Sequence, residues 1–202
     1  MFPTRGLLLG LCFLPALWAA PHPGDPVVFA CLESETFVMG GVLPSGEQSA
    51  AQIFSNIGVE LRWSCDARPA NTISIRLAAR VPKHFRKGTL AYALPFAPKG
   101  VRITVFYDRL EPILEEHEAF AGSIFGHVLA HEIAHVLEKV DAHAETGLMR
   151  GHWDENDFVS MKFNAFHFTP EDAHSIRESA CGAGNLASRD ETRLGVLPKS
   201  PR

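Results

Sequence analysis

The order of the hydrophobic periodicities constrains the fold of this chain more than any other feature. Up to about residue 107, short stretches with the alternation of strands are interrupted by one helical segment, Gly46–Ile57, and after Asp108 the periodicity is helical. This order predicts an α+β fold in which a mixed, twisted sheet packs on one major helix. The predicted strands are Glu35–Val42, Val59–Trp63, Ile73–Ala78, Leu90–Leu94 and Val101–Tyr107.

The longest helical segment, residues 121–140, is the predicted major helix. Its apolar residues recur at helical spacing, so one face can anchor it to a core: Ile124, Phe125, Val128, Leu129, Val136, Leu137 and Val140. A later helix is predicted at Thr169–Ser179, because Thr-Pro-Glu-Asp is typical of a helix N-terminus. Residues 143–168 show little periodicity. We therefore expect a small, irregular and helical C-terminal subdomain.

The first 20 residues predict a secretory signal peptide. Arg5 precedes an apolar run at residues 7–18, and two alanines follow that run. The run is too short to span a membrane comfortably. We expect a secreted protein, extracellular or periplasmic, whose mature chain has no stable membrane span. A single domain is predicted at 27–185 and a flexible tail at 186–202.

The charge balance excludes one class of partner. The chain has 19 Lys and Arg residues against 23 Asp and Glu residues, a net charge of -4, and no run of like charges. Nucleic acids and anionic membranes are attracted by a basic field, which this composition lacks. We therefore expect no nucleic-acid partner.

Removal of the signal peptide leaves three cysteines, and export places them in an oxidising compartment. Cys31 and Cys65 both lie at the edges of strand-like runs in the N-terminal half. We predict that these two form a disulfide and that Cys181 stays a free thiol.

The long helix contains the motif HExxH, with His131, Glu132 and His135 at its fixed positions. Residues four apart lie on one helix face about 6 Å apart along the axis, so two imidazoles can converge on one ion. Zinc lowers the pKa of a bound water to about 7, and Glu132 is placed to take its proton as a general base. His127 lies about 12 Å from His135 along the axis, too far to share that ion, and we interpret it as a core residue. Four other histidines have no partners at ligand spacing and are expected at the surface: His84, His117, His167 and His174.

A catalytic zinc usually takes three protein ligands and one water. His143 and Asp141 both follow the motif closely enough to supply the third ligand. We favour His143, because imidazole is the commoner companion of two other imidazoles, and keep Asp141 as the alternative. His152 and Trp153 follow shortly afterwards and are candidates for the pocket wall or for ordinary packing.

Residues His127–Trp153 resemble the metzincin class of zinc peptidases. In that class a HExxH helix is followed by a turn, a third ligand and a "Met-turn" beneath the metal; here Thr146–Met149 follows His143 as the Met-turn, with Met149 at its end. The usual pattern HExxHxxGxxH departs at two positions, because the chain has Glu138 for the glycine and Asp141 for the third histidine. A thermolysin-like class offers another solution, in which Glu155 is the third ligand.

The resemblance implies a secreted zinc-dependent endopeptidase with one catalytic Zn²⁺ and a peptide or protein as its substrate. It also implies that Leu90–Leu94 is an edge strand beside which an extended peptide lies. The alternative is a secreted zinc-binding module without peptidase activity, since the mature domain is small and neither a propeptide with a cysteine switch nor a separate substrate domain is evident.

Overall fold

The computed structural model describes residues 24–66, 69, 71–85, 89–94, 102–140 and 142–194. These residues form a five-stranded mixed sheet and five α-helices, which confirms the predicted α+β class. The strands are β1 Val27–Ser34, β2 Glu60–Trp63, β3 Ile73–Ala78, β4 Ala91–Leu94 and β5 Arg102–Phe106. The helices are α1 Val42–Ser55, α2 Tyr107–Glu116, α3 Ala121–Glu138, α4 Glu155–Lys162 and α5 Pro170–Leu194, with a 3-10 turn at Glu118–Phe120 before α3.

The strand order of the sheet is β2-β1-β3-β5-β4. The first four of these strands are parallel, and β4 runs antiparallel to β5 at the edge. Parallel strands are covered on both faces and are therefore rich in apolar residues. In β5, the four residues from Ile103 to Phe106 are all buried.

The strand predicted at Glu35–Val42 is wrong. The strand of this region is β1, at Val27–Ser34, and Val42 instead begins α1. β1 begins with a continuous apolar run, Val27–Leu32, rather than with an alternation of apolar and polar residues, although its burial alternates, with Val28 and Ala30 more deeply buried than Val27 and Phe29. After it, Gly41 adopts a φ of 84°, a conformation that glycine tolerates and a strand does not.

Helix α4 forms within the segment of weak periodicity because its N-terminus is strongly capped. The Asp154 side chain accepts hydrogen bonds from the backbone N–H groups of Asn156 and Asp157, and the Asp157 carboxylate accepts one from the N–H of Asp154. Such a reciprocal pair satisfies donors that a helix start leaves unpaired. A cap of this kind can begin a helix that its apolar pattern does not predict.

Glycines bring α1 and α3 unusually close together. A Cβ added at Gly126 of α3 would lie 2.8 Å from the carbonyl oxygen of Gly46 in α1, a distance that real Cβ atoms essentially never show. A Cβ at Gly122 would collide with the side chain of Ser45. The sheet and helices bury α3 along nearly all of its length from Ala121 to Val136. The HExxH motif is therefore held in a rigid part of the molecule.

The predicted disulfide between Cys31 and Cys65 is confirmed, with a Cα–Cα distance of 4.8 Å. It ties β1 to the segment that follows β2 and is compatible with an extracellular protein. Cys181 is free and exposed. None of the helices within the described residues is long and apolar enough to cross a membrane.

The predicted signal peptide, residues 1–20, lies outside the described residues. Helix α5 continues to Leu194 and so includes the first part of the segment predicted to be a flexible tail.

Candidate metal centre

The two histidines of the HExxH motif face each other at the C-terminal end of α3. The Nδ1 atom of His131 lies 2.9 Å from the carbonyl oxygen of Leu148, and that of His135 lies 3.0 Å from the carbonyl oxygen of Val140. Because a carbonyl only accepts, each Nδ1 carries the hydrogen and donates it, which leaves a lone pair on each Nε2. The two Nε2 atoms are 3.0 Å apart. Two lone pairs at this distance repel each other unless a cation lies beside them.

Burial keeps these imidazoles in the form that binds metals. His131 is only 8% exposed, and burial, together with the neighbouring His135, lowers its pKa to about 3. The ring is therefore neutral at physiological pH. A neutral imidazole with its Nδ1 hydrogen fixed by a carbonyl is the usual state of a metal-ligating histidine.

His143 completes a group of three histidines. Its ring centroid lies 5.3 Å from that of His131 and 4.9 Å from that of His135. One ligand atom from each of the three side chains lies within 4.8 Å of the others. The structure thus brings together the three histidines that the sequence suggested, and they could hold a metal ion.

The other two candidates for the third ligand have different outcomes. Asp141 lies outside the described residues. Glu155 lies in the first turn of α4, where its side chain is 69% exposed and 3.7 Å from the Nε2 atom of His117. Among the described residues, it does not belong to the metal-binding group.

Helix α3 ends at Glu138, five residues before His143. Glu138, which stands where the metzincin pattern has glycine, is still helical, and the left-handed residue that ends the helix is Lys139, with a φ of 57°. The turn therefore begins one residue later than that pattern implies. Beyond it, the backbone reverses so that the Val140 carbonyl meets the His135 ring.

Met149 lies in a tight turn whose backbone supports two of the histidines. The Arg150 N–H donates to the Gly147 carbonyl, which closes the turn, and the Leu148 carbonyl accepts from His131. The Met149 carbonyl accepts from the N–H of Ala144, the residue after His143, at 2.9 Å. The Met149 side chain is buried in the core. The residues predicted as a Met-turn thus form a turn whose carbonyl groups bond to the His131 ring and to the backbone N–H of Ala144, next to His143.

An ion pair that the sequence analysis did not identify anchors this turn to α4. The Nη1 atom of Arg150 lies 3.1 and 2.9 Å from the two carboxylate oxygens of Asp157, which also accepts from the N–H of Asp154, the N-cap of α4. The spacing Asp154-x-x-Asp157 is a sequence signal for the start of α4, but it does not indicate the contact with Arg150. Trp153 packs its ring edge-on against His131, with the centroids 5.6 Å apart, while His152 is exposed.

Glu132 is buried next to His131 in α3. It is 8% exposed, and burial raises the pKa of its carboxyl to about 8. A nearby divalent cation has the opposite effect, because it favours the ionised form. The residue can therefore hold or release a proton near neutral pH according to what occupies the histidine group.

Two further histidines are buried away from this group. His127 packs in the core as predicted, with its ring nitrogens 2.7 Å from the Ser123 carbonyl oxygen and 3.1 Å from that of Phe166. The prediction that His117 lies at the surface is wrong: it is 9% exposed and packs between Phe120 and Phe158. The turn between α2 and α3 brings Phe120 to His117, and the packing of α4 on α3 brings Phe158; local periodicity reveals neither contact.

Comparisons with known proteins do not assign this chain to a family. No protein-family model matches the chain, and a search of the curated proteins also finds no match. One similar solved structure is described as the GM1 bound form of the ECX AB5 holotoxin. Its TM-score is 0.43 at 12% sequence identity, and the match covers 77% of this chain and 80% of that chain. At that identity and score, the likeness carries no functional inference.

Proposed function

We propose that this protein is a secreted zinc-dependent endopeptidase of metzincin type. The observation that carries the proposal is the pair of Nε2 atoms of His131 and His135, 3.0 Å apart, with both Nδ1 atoms bound to carbonyl oxygens. In a tetrahedral zinc site with bonds of about 2.0–2.1 Å, two nitrogen ligands are separated by about 3.3 Å, so a small opening of this pair suits the ion. His143 supplies the third ligand, and the fourth position stays open.

The three nitrogen donors suit zinc better than magnesium or calcium, which prefer oxygen ligands. A bound Zn²⁺ supplies a Lewis acid that polarises a peptide carbonyl and acidifies water to a pKa of about 7. Glu132, ionised beside the dication, accepts a proton from water on its carboxylate while the water oxygen forms a bond to the peptide carbonyl carbon, which leads to cleavage of the C–N bond. It then donates this proton to the nitrogen of the leaving amine.

The substrate in this proposal is a peptide bound in an extended conformation. Strand β4 lies at the edge of the described sheet and contacts α3, the helix that carries His131, Glu132 and His135. An extended peptide that pairs with such an edge is held by main-chain hydrogen bonds, so different side chains can be accepted.

The test measures zinc content and peptide hydrolysis of the exported chain, beside Glu132→Gln, His143→Ala and Asp141→Ala. We expect one zinc per chain, retained in Glu132→Gln while turnover on a peptide library falls by at least about 100-fold. Loss of zinc with His143→Ala and retention with Asp141→Ala would support His143 as the ligand. Loss only with Asp141→Ala would transfer that role to Asp141.

Two results would count against the proposal. Normal hydrolysis by Glu132→Gln would exclude the assigned general base. Zinc bound tightly by a chain that cleaves no peptide of the library would favour the second candidate, a secreted zinc-binding module, for which the same histidine geometry suffices.

A further inference from the structure

The three histidines are held in different ways. Hydrogen bonds to backbone carbonyls fix the rings of His131 and His135, and both side chains are buried. His143 is exposed, and its ring contacts are with the other two histidine rings. Exposure leaves a side chain with rotamer freedom that must be lost before it can serve as a ligand.

One further neighbour limits that freedom. Gly151 lies against the His143 ring: a Cβ added at Gly151 would be 3.0 Å from Cγ, 3.3 Å from Nδ1 and 3.4 Å from Cβ of that histidine. These distances are tighter than ordinary van der Waals contact, so the ring would have to move by a few tenths of an ångström. The His143 ring thus packs directly against the backbone of Gly151.

The backbone conformation at Gly151 does not itself require glycine. The glycines with positive φ in the described chain are Gly24, Gly41, Gly58 and Gly147, and Gly151 is not among them. A larger residue could therefore adopt the backbone conformation found there. What it could not do is leave the His143 ring in place.

We propose that Gly151 is a positioning residue that sets the His143 ring at the distance needed to complete the zinc site. The inference rests on the proposed zinc site and deepens it. Metal–ligand distances in proteins hold to within about 0.2 Å, so a displacement of a few tenths of an ångström weakens the site. Replacing residues that orient metal ligands typically lowers metal affinity by about 10- to 100-fold.

The test is a graded series, Gly151→Ala and Gly151→Val, made both in the natural chain and together with His143→Ala. Zinc dissociation constants come from competition with a chromophoric chelator, and the absorption spectrum of bound Co²⁺ reports the number and geometry of the ligands. In the natural chain we expect zinc affinity to fall about 10-fold with Ala and about 100-fold with Val. In the His143→Ala background neither substitution changes the residual affinity, because the ligand that Gly151 positions is gone.

Gly182→Ala is the matched control, since a Cβ at Gly182 meets nothing within 4 Å and that glycine is remote in sequence from the histidines. It leaves zinc affinity unchanged.

The outcomes separate this inference from the proposed function. If the natural chain binds no zinc, the zinc site fails and Gly151 has nothing to position. If the natural chain binds zinc and Gly151→Val binds it equally well, the role of Gly151 is refuted while the zinc site stands. An equal loss of affinity in the His143→Ala background would also refute it, because Gly151 would then act through the fold and not through His143.

Discussion

Because α1 and α3 lie so close together, Gly126→Ala in α3 should destabilise the protein, although helix propensity alone predicts that it stabilises. In an exposed helix interior, Gly→Ala stabilises by about 1 kcal/mol, because alanine restricts the unfolded chain and favours the helix. At Gly126 the new methyl group would lie 2.8 Å from the carbonyl oxygen of Gly46, a backbone atom that cannot rotate away. The two helices must then separate, and their packed interface must open.

Forcing a methyl group into a packed interface costs about 1–3 kcal/mol before the helix propensity is counted. We therefore expect Gly126→Ala to lower the free energy of unfolding by about 1–2 kcal/mol. Gly182→Ala, in the open part of α5, should raise it by about 0.5–1 kcal/mol. The same chemical change thus has opposite signs at two helical sites.

The neighbouring glycine provides a rescue experiment. The side chain of Ser45 obstructs a methyl group at Gly122, and the nearest backbone atom of Ser45 is 3.5 Å away, which is ordinary contact. Ser45→Gly should therefore restore most of the stability that Gly122→Ala removes. Ser49→Gly should not rescue Gly126→Ala in the same way, because the carbonyl oxygen of Gly46 remains.

The assay is urea unfolding followed by circular dichroism, with the two pairs arranged as double-mutant cycles so that the intrinsic cost of each added glycine cancels. A coupling energy of about 1–2 kcal/mol is expected for Gly122 with Ser45. If Gly126→Ala stabilises the protein as much as Gly182→Ala does, the helices are not as close as described and the reasoning is refuted.

The remaining predictions concern the metal-free protein, the end of α3 and the disulfide. Because burial raises the pKa of the Glu132 carboxyl from 4.5 to about 8, its contribution to stability is full below pH 4.5 and is lost by pH 8, about 5 kcal/mol in all. Burial lowers the pKa of His131, which gives the opposite pH dependence up to its ordinary value of 6.5, so the net fall in stability is expected between pH 6.5 and 8. In urea titrations of the metal-free protein, Glu132→Gln should remove the fall over that range, and an unchanged slope would contradict the assignment. Lys139→Gly should raise the thermal midpoint, since it relieves a left-handed conformation that costs a lysine about 1 kcal/mol; a lower midpoint would argue against that cap. Removing the Cys31–Cys65 disulfide by serine substitution should lower the free energy of unfolding by about 4 kcal/mol, from loop closure over a separation of 34 residues. Cys181→Ser is the control, because Cys181 is free. An equal loss of stability there would show that the effect does not come from breaking the disulfide.

The sequence allowed the histidine group to be predicted because its geometry is mostly local. Residues four apart on a helix lie on one face whatever surrounds them, so His131 and His135 could be paired from the motif alone. His143 follows within eight residues of His135, a separation that one turn spans. The disulfide was also predictable, because few cysteines compete for partners.

What the sequence could not reveal depends on contacts between distant segments. The carbonyl of Leu148 reaches His131 only because the chain turns back beneath α3. The residue types in this segment do not indicate which carbonyl will bond to the ring. The burial of His117 depends on the packing of Phe158, which lies in a helix with little apolar periodicity. The first strand, Val27–Ser34, was missed because its residues from Val27 to Leu32 are all apolar, so the sequence lacks the alternation by which strands are recognised although the burial of the strand alternates.

The direction of α3 has an electrostatic consequence for what can approach its histidines. A helix carries about half a negative charge at its C-terminal end, where the last carbonyl groups have no helical partner. His131 and His135 lie in the last two turns of α3, and the carbonyl oxygens of Val140 and Leu148 point at their rings. The helix end near His135 and the Nε2 lone pairs of both rings therefore favour a cation over an anion at this site. An anionic group of a ligand is therefore expected to bind more tightly once a dication is present, and the direction of α3 contributes to that order of binding.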